Sequence, residues 1–301
     1  MAVVKTRLNL RKVPPAEGGS GHMPGRRLGY PRPVSLPALA RACHPGPTVA
    51  VTTLATLLAL RADLAPLTVL AVTAAVLSGQ LVIGWANDAL DAGRDRRVGR
   101  QDKPVATGEL EVRTVLVAAG VALMACLVLS FSLGWRAGLC HVVLLVGSGL
   151  AYDLGVKATV WSWLPYALAF GSLPAVPVLA QDPPALPAWW AVAAGAALGV
   201  GAHLVNVLPD LEDDAATGVR GLPHRLGARA SQVAAALLLL GASVSLVLGP
   251  GGPSGWGAAA LVLTVALAVT VATTRGRTPF RAAMLMALVD VVLLTVAGAD
   301  R

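Results

Sequence analysis

Two clusters of acidic residues lie in a chain that is otherwise short of charge. The first reads Asn87-Asp88-Ala-Leu-Asp91-Ala-Gly-Arg94-Asp95, and this spacing puts all three carboxylates on one face of a helix. Carboxylate and amide oxygens are hard ligands of the kind that Mg²⁺ prefers, and carboxylates this close repel one another unless a cation lies among them. The segment predicts a Mg²⁺ site with the ligands Asn87, Asp88, Asp91 and Asp95; the alternative is an ordinary solvated helix end.

The second cluster reads Asn206-Val-Leu-Pro-Asp210-Leu-Glu-Asp-Asp214. Asn206, Asp210 and Asp214 recur every four residues, so a continuous helix would place them on roughly one face. We expect Asp210 and Asp214 to be ligands of a second metal ion. The alternative is a charged surface loop.

Basic residues lie beside both clusters, among them Arg94, Lys103 and Lys157. Carboxylates that hold a metal ion, with cations around them, suit a polyanionic ligand such as a diphosphate, because the metal ion and the cations together offset the negative charge of the ligand. Each single lysine or arginine could equally be explained by membrane orientation alone.

The composition indicates that membrane-spanning helices position these clusters. The chain has 301 residues, of which 55% are hydrophobic and 13% charged, whereas a soluble domain carries about 25% charge. A spanning helix needs about 20 apolar residues, and the uncharged stretches predict an all-α bundle of nine such helices. The stretches are 42–60, 64–87, 114–135, 137–152, 158–181, 183–209, 230–274 (divided in two by the glycines and prolines of 249–255) and 282–299.

The basic residues predict the orientation of this bundle. The net charge is +8, and all but three of the 24 lysines and arginines fall in the N-terminal segment or in alternate gaps between the predicted helices. Because basic loops stay on the cytoplasmic side, we expect a multi-pass plasma-membrane protein whose N-terminus and active-site loops are cytoplasmic. This distribution favours the lipid bilayer as partner, without nucleic acid and without an evident obligate protein partner.

The chain divides into a predicted tail and a predicted membrane domain. Residues 1–40 are rich in arginine, glycine and proline and are expected to form a disordered basic cytoplasmic tail, while residues 41–301 form the transmembrane domain. The three cysteines have no metal-like spacing and are interpreted as packing residues.

These motifs resemble the UbiA-type membrane prenyltransferases. The first cluster matches the family motif N-D-x-x-D-x-x-x-D, Lys103-Pro104 and Gly108 resemble the residues that follow it, and the segment 152–157 is similar to the family's Tyr/Lys loop. The second motif of the family often reads D-x-x-D-x-x-x-D. Asp210 and Asp214 match its last two positions, but the first falls on Val207, which cannot bind metal; Asn206, one residue earlier, could take its place.

The resemblance implies a ring of nine helices around a central cavity and an enzyme that transfers a prenyl group from an isoprenyl diphosphate, bound through Mg²⁺, to a small-molecule acceptor. The acceptor would be an aromatic compound or a quinone precursor. Catalytic roles are implied for Asp88, Asp91, Lys157 and Asp210. Binding of the diphosphate is implied for Asn87, Arg94, Lys103, Tyr152, Lys157 and Asn206.

Other functions are compatible with the same residues. A membrane terpene cyclase would use the same ionisation but let the cation attack its own chain. A divalent cation transporter belongs to a different class and would place ionisable residues near the middle of the bilayer, where only Asp290 is found. A scaffold that has lost catalysis would have no reason to keep acids at both positions.

Overall fold

The computed structural model describes residues 35–249, 255–274 and 278–296, and within these ranges the regular structure is entirely helical. A π-helix at Cys140–Val146 joins α5 to α6, and 3₁₀ turns occupy Val156–Ala158 and Leu208–Asp210. The α-helices are α1 (Leu36–Ala42), α2 (Pro45–Arg61), α3 (Pro66–Arg97), α4 (Val112–Ser132), α5 (Trp135–Leu139), α6 (Gly147–Asp153), α7 (Leu164–Ser172), α8 (Ala175–Leu179), α9 (Trp189–Val207), α10 (Leu211–Ala216), α11 (Leu222–Leu226), α12 (Ala228–Leu248), α13 (Gly255–Thr273) and α14 (Thr278–Val296).

The predicted all-α membrane fold is confirmed. Six helical segments of the described chain are long and apolar enough to cross a bilayer, and α1 with α2, which meet at a bend of 72°, would make a seventh span. The number nine stays a prediction. The bend falls at His44, whose φ of 57° is left-handed and which is followed by Pro45, a residue suited to the first position of a new helix.

The helices form a ring. Along the chain α2 packs on α3, α3 on α4, and α7 on α9; α9 packs on α12, and α14 packs on both α12 and α2, which closes the circle. Small residues permit the closest approaches: a Cβ at Gly195 or Gly199 would collide with the backbone of α7, and one at Gly84 with the backbone of Cys43. Backbones this close leave little room for slippage of α9 against α7.

The outer face of the ring is apolar and exposed, as a lipid-facing surface must be. Leu67 on α3, Val121 on α4, Leu237 on α12 and Val262 on α13 all point outward. A water-soluble protein would not leave such a belt uncovered. The chain is therefore a multi-pass membrane protein.

The predicted N-terminal tail lies almost wholly outside the described residues. Its last residues, from Leu36 on, belong to α1, so the predicted boundary at residue 41 falls inside a helix. The cysteines Cys43, Cys126 and Cys140 are buried and free, in agreement with a packing role.

Candidate active site

The first acidic cluster lies on the last turns of α3. This helix runs without interruption from Pro66 to Arg97, so the offsets of the three aspartates put them on one face, and that face is buried. Asp88 is 1% exposed, and Asp91 and Asp95 are also buried. Three buried carboxylates on one helix face repel one another strongly unless cations lie close to them.

Three cations provide that compensation. Lys157 Nζ lies 2.7 Å from both carboxylate oxygens of Asp91, and Lys103 Nζ lies 3.0 Å from Asp88 Oδ1. Arg94 contacts Asp91 at 3.1 Å and Asp95 at 3.6 Å. The loops after α3 and α6 thus bring their lysines back to the carboxylates, so charge is concentrated at this end of the ring.

Asn87 connects this cluster to a fourth carboxylate. Its side-chain nitrogen donates to Asp153 at 2.7 Å and to Asp91 at 3.2 Å, while Lys103 donates to its oxygen at 3.4 Å. Lys103 also lies 2.8 Å from His44 Nε2 at the bend between α1 and α2. The network therefore fixes α3, α6 and the start of α2 relative to one another.

The second cluster does not lie on a continuous α-helix, which its four-residue spacing had assumed. Helix α9 ends at Val207, a 3₁₀ turn follows at Leu208–Asp210, and α10 begins at Leu211. Pro209 has no N–H to donate to the preceding turn, so the α-helix breaks there. The side chain of Asp210, at the end of this turn, is 48% exposed.

Arg94 links the two clusters, and Arg100, which donates hydrogen bonds to Asp102, lies near the second. Arg94 NH1, already paired with the first cluster, lies 3.7 Å from Asp214 Oδ1, and Arg100 NH1 lies 3.9 Å from Asp210 Oδ1. Burial raises the pKa of Asp214, and Arg94 partly offsets that rise. His224 Nε2 lies 3.8 Å from Asp214, but burial lowers the pKa of His224, so its ring is largely neutral near pH 7.

The donor atoms of the first cluster fit a hard cation such as Mg²⁺. Both oxygens of Asp88 and one each of Asp95 and Asp153 are buried and accept no hydrogen bond; Lys103 approaches Asp88 as an ion pair without hydrogen-bond geometry. Within the described ranges no three acidic, histidine or cysteine side chains are close enough to enclose a metal by themselves. That is the usual situation for Mg²⁺, which takes one or two carboxylates and completes its shell with substrate phosphates and water.

An apolar cavity of about 190 Å³ adjoins this end of the ring. It is lined by side chains of α2, α3, α6, α7, α9 and the π-helix. Tyr152, which precedes Asp153 of the charged network, and Asn206, four residues before Asp210, belong to its wall. Tyr152 packs edge-on against Tyr166, with the ring centroids 5.2 Å apart. The arrangement places a site for negative charge beside a chamber suited to hydrocarbon.

Comparisons with known proteins decide the family. Residues 48–291 match the UbiA prenyltransferase family. The chain belongs to this family. A search of curated proteins finds no match.

Solved UbiA structures share the fold. The apo structure of a UbiA homolog from Aeropyrum pernix K1 is 17% identical with a TM-score of 0.65, over 84% of this chain and 96% of that chain. A UbiA homolog from Archaeoglobus fulgidus bound to GPP and Mg²⁺ is 15% identical with a TM-score of 0.63, over 86% and 100%. A digeranylgeranylglyceryl phosphate synthase is 16% identical with a TM-score of 0.63, over 87% and 98%.

In this UbiA-family chain the structure brings together most of the residues predicted from the sequence. One network contains the residues of the first cluster and the cations beside it: Asn87, Asp88, Asp91, Asp95, Arg94, Lys103 and Lys157. Through Arg94 this network also reaches Asp214. Asp210 stands apart at the surface with Arg100, and Tyr152 and Asn206 line the cavity.

Sequence analysis missed four polar residues of this region. Asp153 contacts Asn87, His44 contacts Lys103, Arg100 contacts Asp210 and His224 lies beside Asp214. Asp153 precedes Lys157 by four residues in a segment already singled out, so its position offered a signal. The other three contacts depend on how loops fold back, which spacing alone does not reveal.

Proposed function

We propose that this UbiA-family protein catalyses the Mg²⁺-dependent transfer of a prenyl group from an isoprenyl diphosphate to an aromatic or quinone-precursor acceptor within the membrane. The observation that carries the proposal is the buried network of carboxylates and cations on α3 and its loops, directly beside an apolar cavity. A charged head group and a hydrocarbon chain on one substrate need these two environments side by side.

The residues would divide the work as follows. Asn87, Asp88, Asp91 and Asp95 on one side, with Asp210 and Asp214 on the other, would hold Mg²⁺. Arg94, Lys103 and Lys157, with Tyr152 and Asn206, would contact the diphosphate. Mg²⁺, when bound, supplies positive charge that offsets the charge of the leaving group.

The chemistry is a substitution at an allylic carbon. The C–O bond breaks with its electron pair going to the diphosphate, and Lys157 and Arg94 stabilise the negative charge that develops there. A nucleophilic carbon or oxygen of the acceptor supplies the electron pair of the new bond, and the proton lost from that atom goes to the released diphosphate. The apolar cavity walls keep water away from the allylic cation, which would otherwise be hydrolysed.

The proposal includes an orientation. The basic segments that follow α3, α6, α9 and α13 would lie in the cytoplasm of a cell with the protein in its plasma membrane, because positively charged loops are retained there. Labelling of cysteines introduced at Gly99 and Gly218 should require permeabilised cells. If both sites are labelled from outside intact cells, the orientation is wrong.

A product screen of the purified protein tests the reaction. Geranyl, farnesyl and longer prenyl diphosphates are incubated with Mg²⁺ and a panel of phenols and quinone precursors, and both diphosphate release and prenylated product are measured. We expect acceptor-dependent product that disappears when EDTA removes Mg²⁺. Cyclic hydrocarbon formed without any acceptor would identify a cyclase, and no diphosphate release with any donor would contradict the proposal.

A further inference from the structure

The apolar cavity has an open end and a closed end. Of the wall residues that the structure describes, only Pro47 and Asn206 are exposed. Pro47 lies at the start of α2 and Asn206 at the end of α9, and these are the ends of the two helices that face the charged network. Leu145 and Leu173, in contrast, are 2% and 1% exposed. The cavity is therefore open where the diphosphate would bind.

The helices that line the cavity show where its closed end lies. On α6 and the π-helix before it, Tyr152 is beside the charged network and Leu145 lies seven residues deeper. Helix α7 runs inward from the loop of Lys157; its Tyr166 packs against Tyr152, and Leu173 lies seven residues deeper. Seven helical residues rise about 10 Å. The two buried leucines therefore mark a closed end about 10 Å from the network.

A short helix lies behind this closed end. Helix α7 ends just before Leu173 and Pro174, since a proline has no N–H for the helical hydrogen bond, and α8 follows at once. Helix α8 packs on α2, α3, α5, α7 and the π-helix, and its Val176 is 0% exposed. Gln181, which follows α8, donates to the carbonyl oxygen of Ala62 at the far end of α2, at 2.9 Å. The closed end is thus backed by packed protein.

The volume of the cavity sets the length of hydrocarbon chain that fits. A cavity of about 150 Å³ holds one benzene molecule, which corresponds to about 25 Å³ for each carbon atom. On this scale about 190 Å³ has room for about eight carbon atoms. An extended chain of about eight carbons spans about 9 Å, because bonded carbons lie about 1.5 Å apart in a zigzag. Volume and depth therefore indicate the same short chain.

The donor chain must end where the cavity ends. The first carbon of the chain stays with the diphosphate at the charged network, so a ten-carbon geranyl group fills the cavity and a fifteen-carbon farnesyl group exceeds it. The excess would have to displace packed side chains or stay outside the cavity. We propose that the prenyl donor of this protein is short, that geranyl diphosphate is the longest donor the cavity takes whole, and that Leu145 and Leu173 set this limit. This proposal rests on the prenyl transfer proposed above.

Donors that differ only in chain length test it. Purified protein with Mg²⁺ is titrated calorimetrically with the non-ionising thiodiphosphates of the dimethylallyl, geranyl, farnesyl and geranylgeranyl groups, and diphosphate release is measured with the matching diphosphates. In a cavity without a closed end, affinity rises with each added isoprene unit because more apolar surface leaves water. We expect affinity to rise from dimethylallyl to geranyl and then to fall by at least about tenfold at farnesyl, which is about 1.4 kcal/mol.

Substitutions in the wall assign the limit to its residues. Leu145→Ala and Leu173→Ala should each bring farnesyl to within about threefold of geranyl, because the lost side-chain carbons make room for added chain carbons. Leu246→Ala is the matched control: Leu246 is buried on α12 and does not line the cavity, so the geranyl preference should stay. Ala202→Leu narrows the cavity on α9, four residues before Asn206, and should weaken geranyl at least about tenfold more than dimethylallyl.

All variants are compared in one detergent, so that partition of the longer chains into micelles cancels, and thermal unfolding checks that each is folded. A wild type that binds or turns over farnesyl or geranylgeranyl diphosphate as well as geranyl diphosphate overturns the short-donor proposal. So does a geranyl preference that the folded variants at Leu145, Leu173 and Ala202 all leave unchanged. Prenyl transfer survives both results, because a donor still releases diphosphate. If no donor of any length binds with Mg²⁺ or releases diphosphate, prenyl transfer itself has failed, and the short-donor proposal fails with it.

Discussion

The two acidic clusters differ in how firmly the fold holds them. The first occupies one uninterrupted helix, α3, is buried, and has cations within 2.7 to 3.1 Å of Asp88 and Asp91. The second straddles the end of α9, a 3₁₀ turn and the short helix α10, and its closest cations lie 3.7 Å or more from Asp210 and Asp214. The first cluster is therefore assembled before any ligand binds, whereas the second is held less firmly by its neighbours.

This difference predicts which cluster determines the turnover rate and which determines the affinity for Mg²⁺. Groups that are fixed before the reaction stabilise developing charge without the cost of reorganising, so the α3 cluster should control the rate. Groups on short, partly exposed elements must be ordered when the ligand binds, so the α9–α10 cluster should control how much Mg²⁺ is needed. Substitutions of matched residues in the two clusters can break or sharpen this division.

The largest effect is expected in the α3 cluster itself. Asp91→Asn keeps the shape of the side chain but removes the charge that faces Lys157 and Arg94, and Asp88→Asn does the same beside Lys103. Each should lower turnover by about 10²-fold or more even at saturating Mg²⁺, if these ligands act on leaving-group charge as oxyanion donors do. Turnover is measured as diphosphate release, with thermal unfolding as the control for folding. Near-normal rates in both variants would remove the α3 cluster from the reaction.

A pair of cation substitutions compares the clusters directly. Lys157→Met removes a buried partner of Asp91, and we expect at least about a tenfold loss of turnover, since hydrogen bonds to charged groups contribute 1.5–3 kcal/mol. Arg100→Met removes the exposed partner of Asp210, and because exposed ion pairs contribute about 0–1 kcal/mol, the loss should stay within about fivefold. Equal losses in the two variants would mean that burial does not separate the clusters.

The second cluster should affect metal affinity more than rate. Asp210→Ala should raise the Mg²⁺ concentration for half-maximal turnover by about fivefold, the scale expected for a half-exposed carboxylate. At saturating Mg²⁺ most of the rate should return. A Mg²⁺ titration gives both quantities, and a rate that stays low at every concentration would place Asp210 with the α3 cluster instead.

The smallest effect concerns Asn206, the residue proposed to replace the acid missing at Val207. Its side chain lines the cavity at the end of α9, next to the break. Asn206→Asp should lower the half-saturating Mg²⁺ concentration about twofold and Asn206→Ala should raise it by a similar factor, because a carboxylate binds Mg²⁺ better than an amide. A wild-type titration curve for Asn206→Ala would leave Asn206 as a cavity residue only.

The sequence predicted that the residues of the first cluster lie together, because their spacing along a helix is enough to put them on one face. Asp88, Asp91 and Asp95 share a face on any uninterrupted helix. The long apolar stretch before them predicted such a helix, and α3 is uninterrupted. The same reasoning assumed a continuous helix for the second cluster, and the α-helix is interrupted because Pro209 lies between Asn206 and Asp210. That proline was visible in the sequence, and its effect on the helix is general.

Other parts of the site depend on tertiary structure. His44 reaches Lys103 across 59 residues of sequence, and Asp153 reaches Asn87 across 66, through packing that no local pattern encodes. Periodicity predicts which face a residue occupies, but the neighbour that faces it is set by how the helices pack.

The most direct test of the central claim is the binding of geranyl thiodiphosphate, which cannot ionise, to the purified protein by calorimetry with and without Mg²⁺. The α3 cluster is claimed to bind the diphosphate through the metal. Binding should therefore require Mg²⁺ in the wild type, persist in Asp210→Ala at a higher Mg²⁺ concentration, and be lost in the double variant Asp88→Asn, Asp91→Asn. Undiminished binding by that double variant, folded and with Mg²⁺ present, would contradict the claim.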